Sequence, residues 1–194
     1  MTVYLIRHGQ TQGNLERRYI GSSDQPLCPR GREALLAVRP PEADKVYTSP
    51  LRRCRETAAL FYPGAEPEIV PDLRETDFGA FEGHTYEELK DDPAYQAWLD
   101  SAGEVPPPGG EGRAAVRDRV VRAFLSLASR HGAEERIALV VHGGTIMTLL
   151  EALEPSGQFY AWQASNGGGY QCRWTGDRLT DVAQWGPDGK GRTK

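Results

Sequence analysis

Two short apolar runs with the same ending constrain this chain most. Residues 3–6 read VYLI and continue into Arg7, His8 and Gly9, while residues 137–141 read IALVV and continue into His142, Gly143 and Gly144. Four or five consecutive apolar residues bounded by turn formers predict a buried strand. In open sheets covered by helices, ligands collect beyond the carboxyl ends of the strands. Both His-Gly pairs stand where a strand gives way to a loop, so the two imidazoles are expected to meet in one crevice. The glycines beside them let a ligand approach the main chain.

The remaining pattern fits that architecture. Apolar runs at 46–47 and 69–70 predict two further strands. Residues 29–38, with Pro29 at the first helical position, and 50–61, with Ser49 as N-cap and Pro50 next, predict helices. Val116, Val120, Phe124 and Leu127 recur on one face of a helix over 113–130 that His131 and Gly132 close. Thr85 and Glu88 have capping-box spacing, residues 93–99 predict a second short helix, and 105–112 (VPPPGGEG) predict a loop. The runs GYQCRW and RLTDVAQW flank the turn TGD, which predicts a hairpin at a sheet edge, and 186–194 read as a frayed tail. Strands alternating with helices predict a three-layer α/β/α fold with a mostly parallel central sheet. Residues 1–185 are expected to form a single domain, in which 84–112 are a lid-like insertion.

Charge and cysteine content narrow the function. The formal net charge of −4 offers no broad field for nucleic acid or an anionic membrane, so an anionic ligand has to be held by local cations. Cys28, Cys54 and Cys172 are widely separated, with no CxxC and no Cys/His ligand spacing, which points to neither a disulfide framework nor a zinc site. With no leader-like opening and no apolar run of membrane length, a cytoplasmic location is expected.

Two more segments carry candidate chemistry. TSPLRRCRETA, 48–58, delivers Arg52, Arg53 and Arg55 into the first two turns of a helix. A helix face of arginines is usually solvated, but Arg53 can point back over the strand end and grip two phosphate oxygens with its planar fork. DLRETDFGAFEG, 72–83, is expected to run from strand to loop and holds Glu75, Asp77 and Glu82 among phenylalanines and glycines. A carboxyl held against aromatic rings can serve as a proton donor.

Together, LIRHGQT, DQPLCPRG at 24–31, SPLRRCRETA, LRETDFGAFEG and VVHGGT resemble the histidine phosphatase superfamily, with its phosphoglycerate-mutase-like fold. Within it the chain is similar to the branch of small cytoplasmic phosphatases that includes the α-ribazole phosphatases and broad-specificity phosphatases. The resemblance implies His8 as nucleophile, flanked by a phosphate-binding Arg7. It implies Arg53 as the arginine of the SPLxR motif, Glu75 as the acid, His142 as the second histidine, and Asn14 and Gly143 as substrate-binding positions. It further implies a phosphohistidine intermediate, no metal and no other cofactor, with Arg7, Arg53 and a protonated His142 around the transferring phosphoryl oxygens. The chain departs from the family pattern at Cys28, where threonine is usual, and at Cys54 and Glu56, where alanine and glutamine are usual. The first departure weakens the cap of the following helix.

The expected activity is hydrolysis of a small phosphate ester. A phosphoglycerate mutase is the nearest rival, but 84–112 contain seven acidic residues and one base, Lys90, which ill suits a substrate with a second anion. In the same stretch Tyr86, Tyr95 and Trp98 read either as packing between two short helices or as an apolar wall for an uncharged or aromatic leaving group. A non-catalytic phosphate or phosphopeptide binder would need the arginines but neither His8 nor Glu75. A metalloenzyme with His8 and His142 as ligands lacks a carboxylate at ligand spacing. His84 and His131 read as bystanders. The hairpin bearing Trp174 and Trp185 can be a sheet edge or a subunit contact, leaving monomer and homodimer both open.

Overall fold

The two apolar runs are neighbouring strands at the centre of one sheet in the structure, a computed structural model that describes residues 1–187. β1 (Thr2–Arg7) and β4 (Arg136–Val141) pair in parallel, Leu5 opposite Leu139 and Arg7 opposite Val141, so His8 and His142 leave the sheet side by side. Side chains alternate between the faces of a strand. Val3, Leu5, Ile137, Leu139 and Val141 therefore enter one core, and Tyr4, Ile6, Ala138 and Val140 enter a second core on the opposite face.

β2 (Lys45–Thr48), β3 (Glu68–Ile69), β5 (Gly169–Trp174) and β6 (Leu179–Trp185) complete a six-stranded sheet in the order β3-β2-β4-β1-β5-β6. The first four strands are parallel, and β5 and β6 form the expected antiparallel hairpin at the edge. Among the described residues, seven helices follow in chain order: α1 (Gln12–Leu15), α2 (Pro29–Leu36), α3 (Arg52–Phe61), α4 (Tyr86–Leu89), α5 (Pro93–Asp100), α6 (Arg113–Ala128) and α7 (Gly143–Leu153). α6 and α7 cover one face of the sheet and α2 and α3 the other, giving the three-layer α/β/α fold. α4 and α5 fold over a third cluster of Phe81, Leu89 and Tyr95. Among the described residues, no helix is long and apolar enough to cross a membrane.

The structure departs from the sequence pattern at several places, each for a local reason. α3 begins at Arg52, and its cap position is Leu51, whose side chain cannot hydrogen-bond, while the Ser49 hydroxyl is shared between the Leu51 N–H and His142. α2 stops at Leu36, two residues short of the expected end, and its cap is the Cys28 sulfur, which accepts the Gly31 N–H at 3.2 Å. β3 is two exposed residues, so Ile69 sits on an open edge instead of in a core. Residues 72–83 contain no strand. Pro71 opens one 3₁₀ turn (Pro71–Leu73) and a second covers Gly79–Phe81. α6 ends at Ala128, and His131 bonds to the Tyr47 hydroxyl and to Glu135, both at 2.6 Å. Of the expected tail, 188–194 lie outside the described residues.

Phe124 is fully buried on α6 and meets Trp174 of β5 edge-on, with ring centroids 5.1 Å apart. Phe124→Ala is expected to destabilise the fold by about 3–5 kcal/mol in urea unfolding. A loss well under about 1 kcal/mol would mean that α6 is not held to the hairpin through this ring.

Candidate active site

At the carboxyl end of β1, the His8 ring is held by its own turn. Nδ1 lies 2.7 Å from the Gly9 carbonyl, so Nδ1 carries the proton and Nε2 keeps its lone pair. The Gly9 N–H is taken by the Thr57 hydroxyl, which in turn donates to the Arg53 carbonyl one helical turn back on α3. The His142 ring stands 5.2 Å from the His8 ring, edge to face. Its Nε2 meets the Ser49 hydroxyl at 2.7 Å, and the Cys54 thiol packs against it.

Arg53 bridges the two rings. Its Nε is shared between His8 Nε2 and His142 Nδ1, both at 3.3 Å, while Nη1 and Nη2 donate at 2.7 Å to the carbonyls of Ser23 and Gly21. Those carbonyls are aimed by Glu82, whose carboxylate accepts the N–H groups of Gly21 and Ser22 and the Ser23 hydroxyl. Arg52 pairs with Glu56 on the surface and Arg55 is exposed, so of the three arginines on this helix only Arg53 turns inward. Arg7 donates from Nη1 to the Ala164 carbonyl at 2.6 Å, and its Nε is buried with no partner among the described residues.

This cluster is cationic, and all of these acceptors are neutral. A buried charge needs a partner, and a buried donor left unmade costs on the order of 1–3 kcal/mol. Two guanidinium groups facing an orphaned N–H therefore make a seat for an anion. Burial first, then the charges of Arg53 and Arg7, hold the His8 pKa well below the usual 6.5, and His142 is lowered in the same way by burial, Arg53 and His8. In the ligand-free protein the His142 Nδ1 accepts from Arg53, which favours the neutral ring.

Glu75 lies across the cluster, next to α7. Its two oxygens accept the N–H groups of Thr76 at 2.9 Å and Gly144 at 3.0 Å. A Cβ on residue 144 would stand 2.4 Å from Glu75 Oε1, so only glycine admits the carboxylate this close. Gly143 packs against Arg7. Asp77 turns away to the Gly79 N–H. Asn14 accepts at Oδ1 from the Thr11 N–H and from Asn166, which also donates to the His8 carbonyl at 3.0 Å. All of the site residues expected from the sequence thus converge on one region.

Beside Glu75 and Gly144 opens a cavity of about 400 Å³, walled by Tyr19, Phe78, Trp98, Met147, Phe159 and Tyr160. Of the three aromatics singled out in 84–112, only Trp98 reaches it. Tyr95 is core and Tyr86 is an exposed residue packed edge-on against it. Tyr19, Phe159, Tyr160 and Asn166 went unnoticed because they lie in segments with no periodicity and no paired motif. Arg119 also escaped, although a signal was present: it falls on the buried stripe of α6, beside Val120 and one turn after Val116.

The model of the histidine phosphatase superfamily (branch 1) matches residues 3–186. The adenosylcobalamin/alpha-ribazole phosphatase of Escherichia coli (strain K12) is 32% identical over 161 residues, 79% of either chain. A metal-independent phosphoserine phosphatase of Arabidopsis thaliana is 30% identical over 158 residues, 76% of this chain and 66% of that one. The alpha-ribazole phosphatase structure from Shigella flexneri has a TM-score of 0.81 at 29% identity, covering 93% of this chain and 94% of that chain. The chain belongs to the histidine phosphatase superfamily. Within that class it is a phosphatase, a hydrolase of phosphate esters.

Because both buried rings stay neutral, acid should act on the unfolded chain first. Below pH 6.5 its histidines take up protons that His8 and His142 in the folded protein do not, so stability falls as pH drops through that value. In ¹⁵N NMR the two rings are expected to keep constant shifts from about pH 7.5 to about 5.5. A midpoint near 6.5 for either ring would contradict the neutral cluster.

Proposed function

We propose that this protein is a metal-independent phosphomonoesterase that hydrolyses a small phosphate ester through a phosphohistidine on His8. The observation that carries this reading is the buried pair of guanidinium groups around a neutral imidazole whose Nε2 is unprotonated. A neutral imidazole is a nucleophile, and cations fixed beside it stabilise charge on transferring oxygens without reorganisation.

In the first step His8 Nε2 attacks phosphorus, the P–N bond forms, the ester P–O bond breaks, and Glu75 gives its proton to the leaving oxygen. In the second, the Glu75 carboxylate takes a proton from water, the resulting oxygen attacks phosphorus, and the P–N bond breaks to release inorganic phosphate and neutral His8. Arg7, through its unpartnered Nε, and Arg53 hold the equatorial oxygens. Asn14, its Oδ1 already committed, offers Nδ2, and Gly143 lets the phosphoryl group approach the main chain. The negative charge of the bound phosphate opposes the effect of Arg53 on His142 and favours its protonation in the complex. Arg7 and Arg53 supply the positive charge that a metal would otherwise bring, and the Arabidopsis relative is metal-independent by name.

The leaving group occupies the aromatic cavity, covered by α5 of the 84–112 insertion. The base that lines it, Arg113, is already paired with Glu151 and stacked on Phe159, while Glu75 and Glu111 line the same wall. A second anion on the substrate therefore finds no free cation on the wall, which favours a phosphatase over a phosphoglycerate mutase. An uncharged ring fits, and α-ribazole 5′-phosphate, the kind of ester named for two of the relatives, is the first candidate within a range of aromatic esters.

Phosphate release in excess EDTA should proceed from p-nitrophenyl phosphate and α-ribazole 5′-phosphate and be slow from 3-phosphoglycerate. His8→Ala should remove it by more than the roughly 100- to 10,000-fold that a lost acid-base group costs. Near wild-type turnover in that variant would sink the nucleophile assignment. In kcat/KM, which reports the first step alone, Glu75→Gln should cost about 100-fold or more on an alkyl phosphate but little on p-nitrophenyl phosphate, whose leaving group needs no proton. Equal losses on both esters would argue against the acid role.

A further inference from the structure

The segment that carries Glu75 has no strand or helix to hold it, since it lies between two 3₁₀ turns. A group that delivers a proton to a leaving oxygen has to be placed to within roughly 0.5 Å. The restraint comes from α6. The Arg119 side chain is buried and donates from Nη1 to the carbonyls of Asp72 and Arg74, both at 2.9 Å, and from Nη2 to the Glu75 carbonyl at 3.4 Å. Its Nε and Nη2 also meet the two oxygens of Glu111 at 3.1 and 2.7 Å.

Glu111 completes the clamp. Its carboxylate accepts the Asp77 N–H at 3.1 Å and the Arg74 guanidinium at 2.9 Å, and its own N–H donates to the Asp77 carbonyl at 2.8 Å. Burial alone would raise the Glu111 carboxyl, but the hydrogen bonds from Arg119 and Asp77 and the nearby charges outweigh it and leave it below the ordinary range. A guanidinium has five N–H donors, and these five bonds use all of them on main-chain carbonyls and one carboxylate. None is left for a phosphoryl oxygen, so Arg119 is not a third phosphate ligand.

We infer that Arg119, braced by Glu111, is the positioning residue of the proton donor, aiming Glu75 through the main chain of 72–77 and standing outside the cavity that takes the leaving group. The inference rests on the reading of Glu75 as that donor. Lysine cannot replace the arginine, because an ammonium has three donors and no planar fork.

The test compares kcat/KM, which reports the leaving-group step alone, for p-nitrophenyl phosphate and for phenethyl phosphate, an alkyl ester bearing a ring, across Arg119→Lys, Glu75→Gln and the double variant. Arg119→Gln is run in parallel, so that poor folding of one clamp variant leaves the comparison standing on the other. Misplacement of a catalytic group by about 1 Å costs on the order of 100-fold. Arg119→Lys should therefore lose about that much on the alkyl ester and less than about threefold on p-nitrophenyl phosphate. In the double variant it should add nothing to the loss from Glu75→Gln on the alkyl ester. If Glu75→Gln discriminates between the esters while the clamp variants lower both equally, or their losses add to its own, the positioning role is overturned and the acid role survives. If Glu75→Gln itself fails to discriminate, the acid role falls and the inference falls with it.

Discussion

Burying positive charge with no carboxylate in hydrogen-bond contact is the constraint on which this structure turns. Arg53 is wholly removed from water and Arg7 largely so, yet their acceptors are carbonyls and imidazoles. Such an arrangement is costly, and much of the surrounding polar structure makes it tolerable. Glu82 aims the Gly21 and Ser23 carbonyls at one guanidinium, Ser165 and the loop around it bring the Ala164 carbonyl to the other, and Thr57 fixes the start of the turn that carries His8. The same field keeps both imidazoles neutral, so the anion seat and the nucleophile have a common origin. A sheet of parallel central strands suits this purpose because it brings two chain segments far apart in sequence to the same edge.

Much of this was legible in the sequence for reasons that can be named. A strand buried on both faces has to be apolar throughout, so the sudden polarity of Arg7-His8 and His142 marked where the sheet ends. Arg53 was legible because the Ser-Pro-Leu start turns one side of α3 toward the strand ends. The start of α3 itself was misread because Ser49, a good cap by composition, spends its hydroxyl on His142. Competition of this kind between a local cap and a distant partner cannot be seen from neighbouring residues. The same applies to 72–83, where a clamp from α6 takes the place of strand pairing.

The cavity walls mark the other limit. Tyr19, Trp98 and the adjacent pair Phe159 and Tyr160 come from three separate stretches, and nothing in the spacing of those stretches relates them. Chemistry here is encoded in short motifs next to strand ends, whereas selectivity is encoded in the packing of loops over them. Relatives of one fold can therefore share the reaction and differ in the ester they accept.

The contacts around Ala164 and Asn166 carry a consequence for how the protein is made. Arg7 reaches Ala164 across 157 positions, Asn166 grips the His8 carbonyl across 158, and the Gly167 N–H closes on the Arg7 carbonyl. Contacts of such separation form only after a large loop has been closed, and they are among the slower steps of folding. On the ribosome, β1 waits until Ala164 and Asn166 have been made before its histidine is set in place. A truncated or stalled product therefore has Arg7 and His8 but not the frame that makes them reactive, and catalytic competence arrives with the docking of β5.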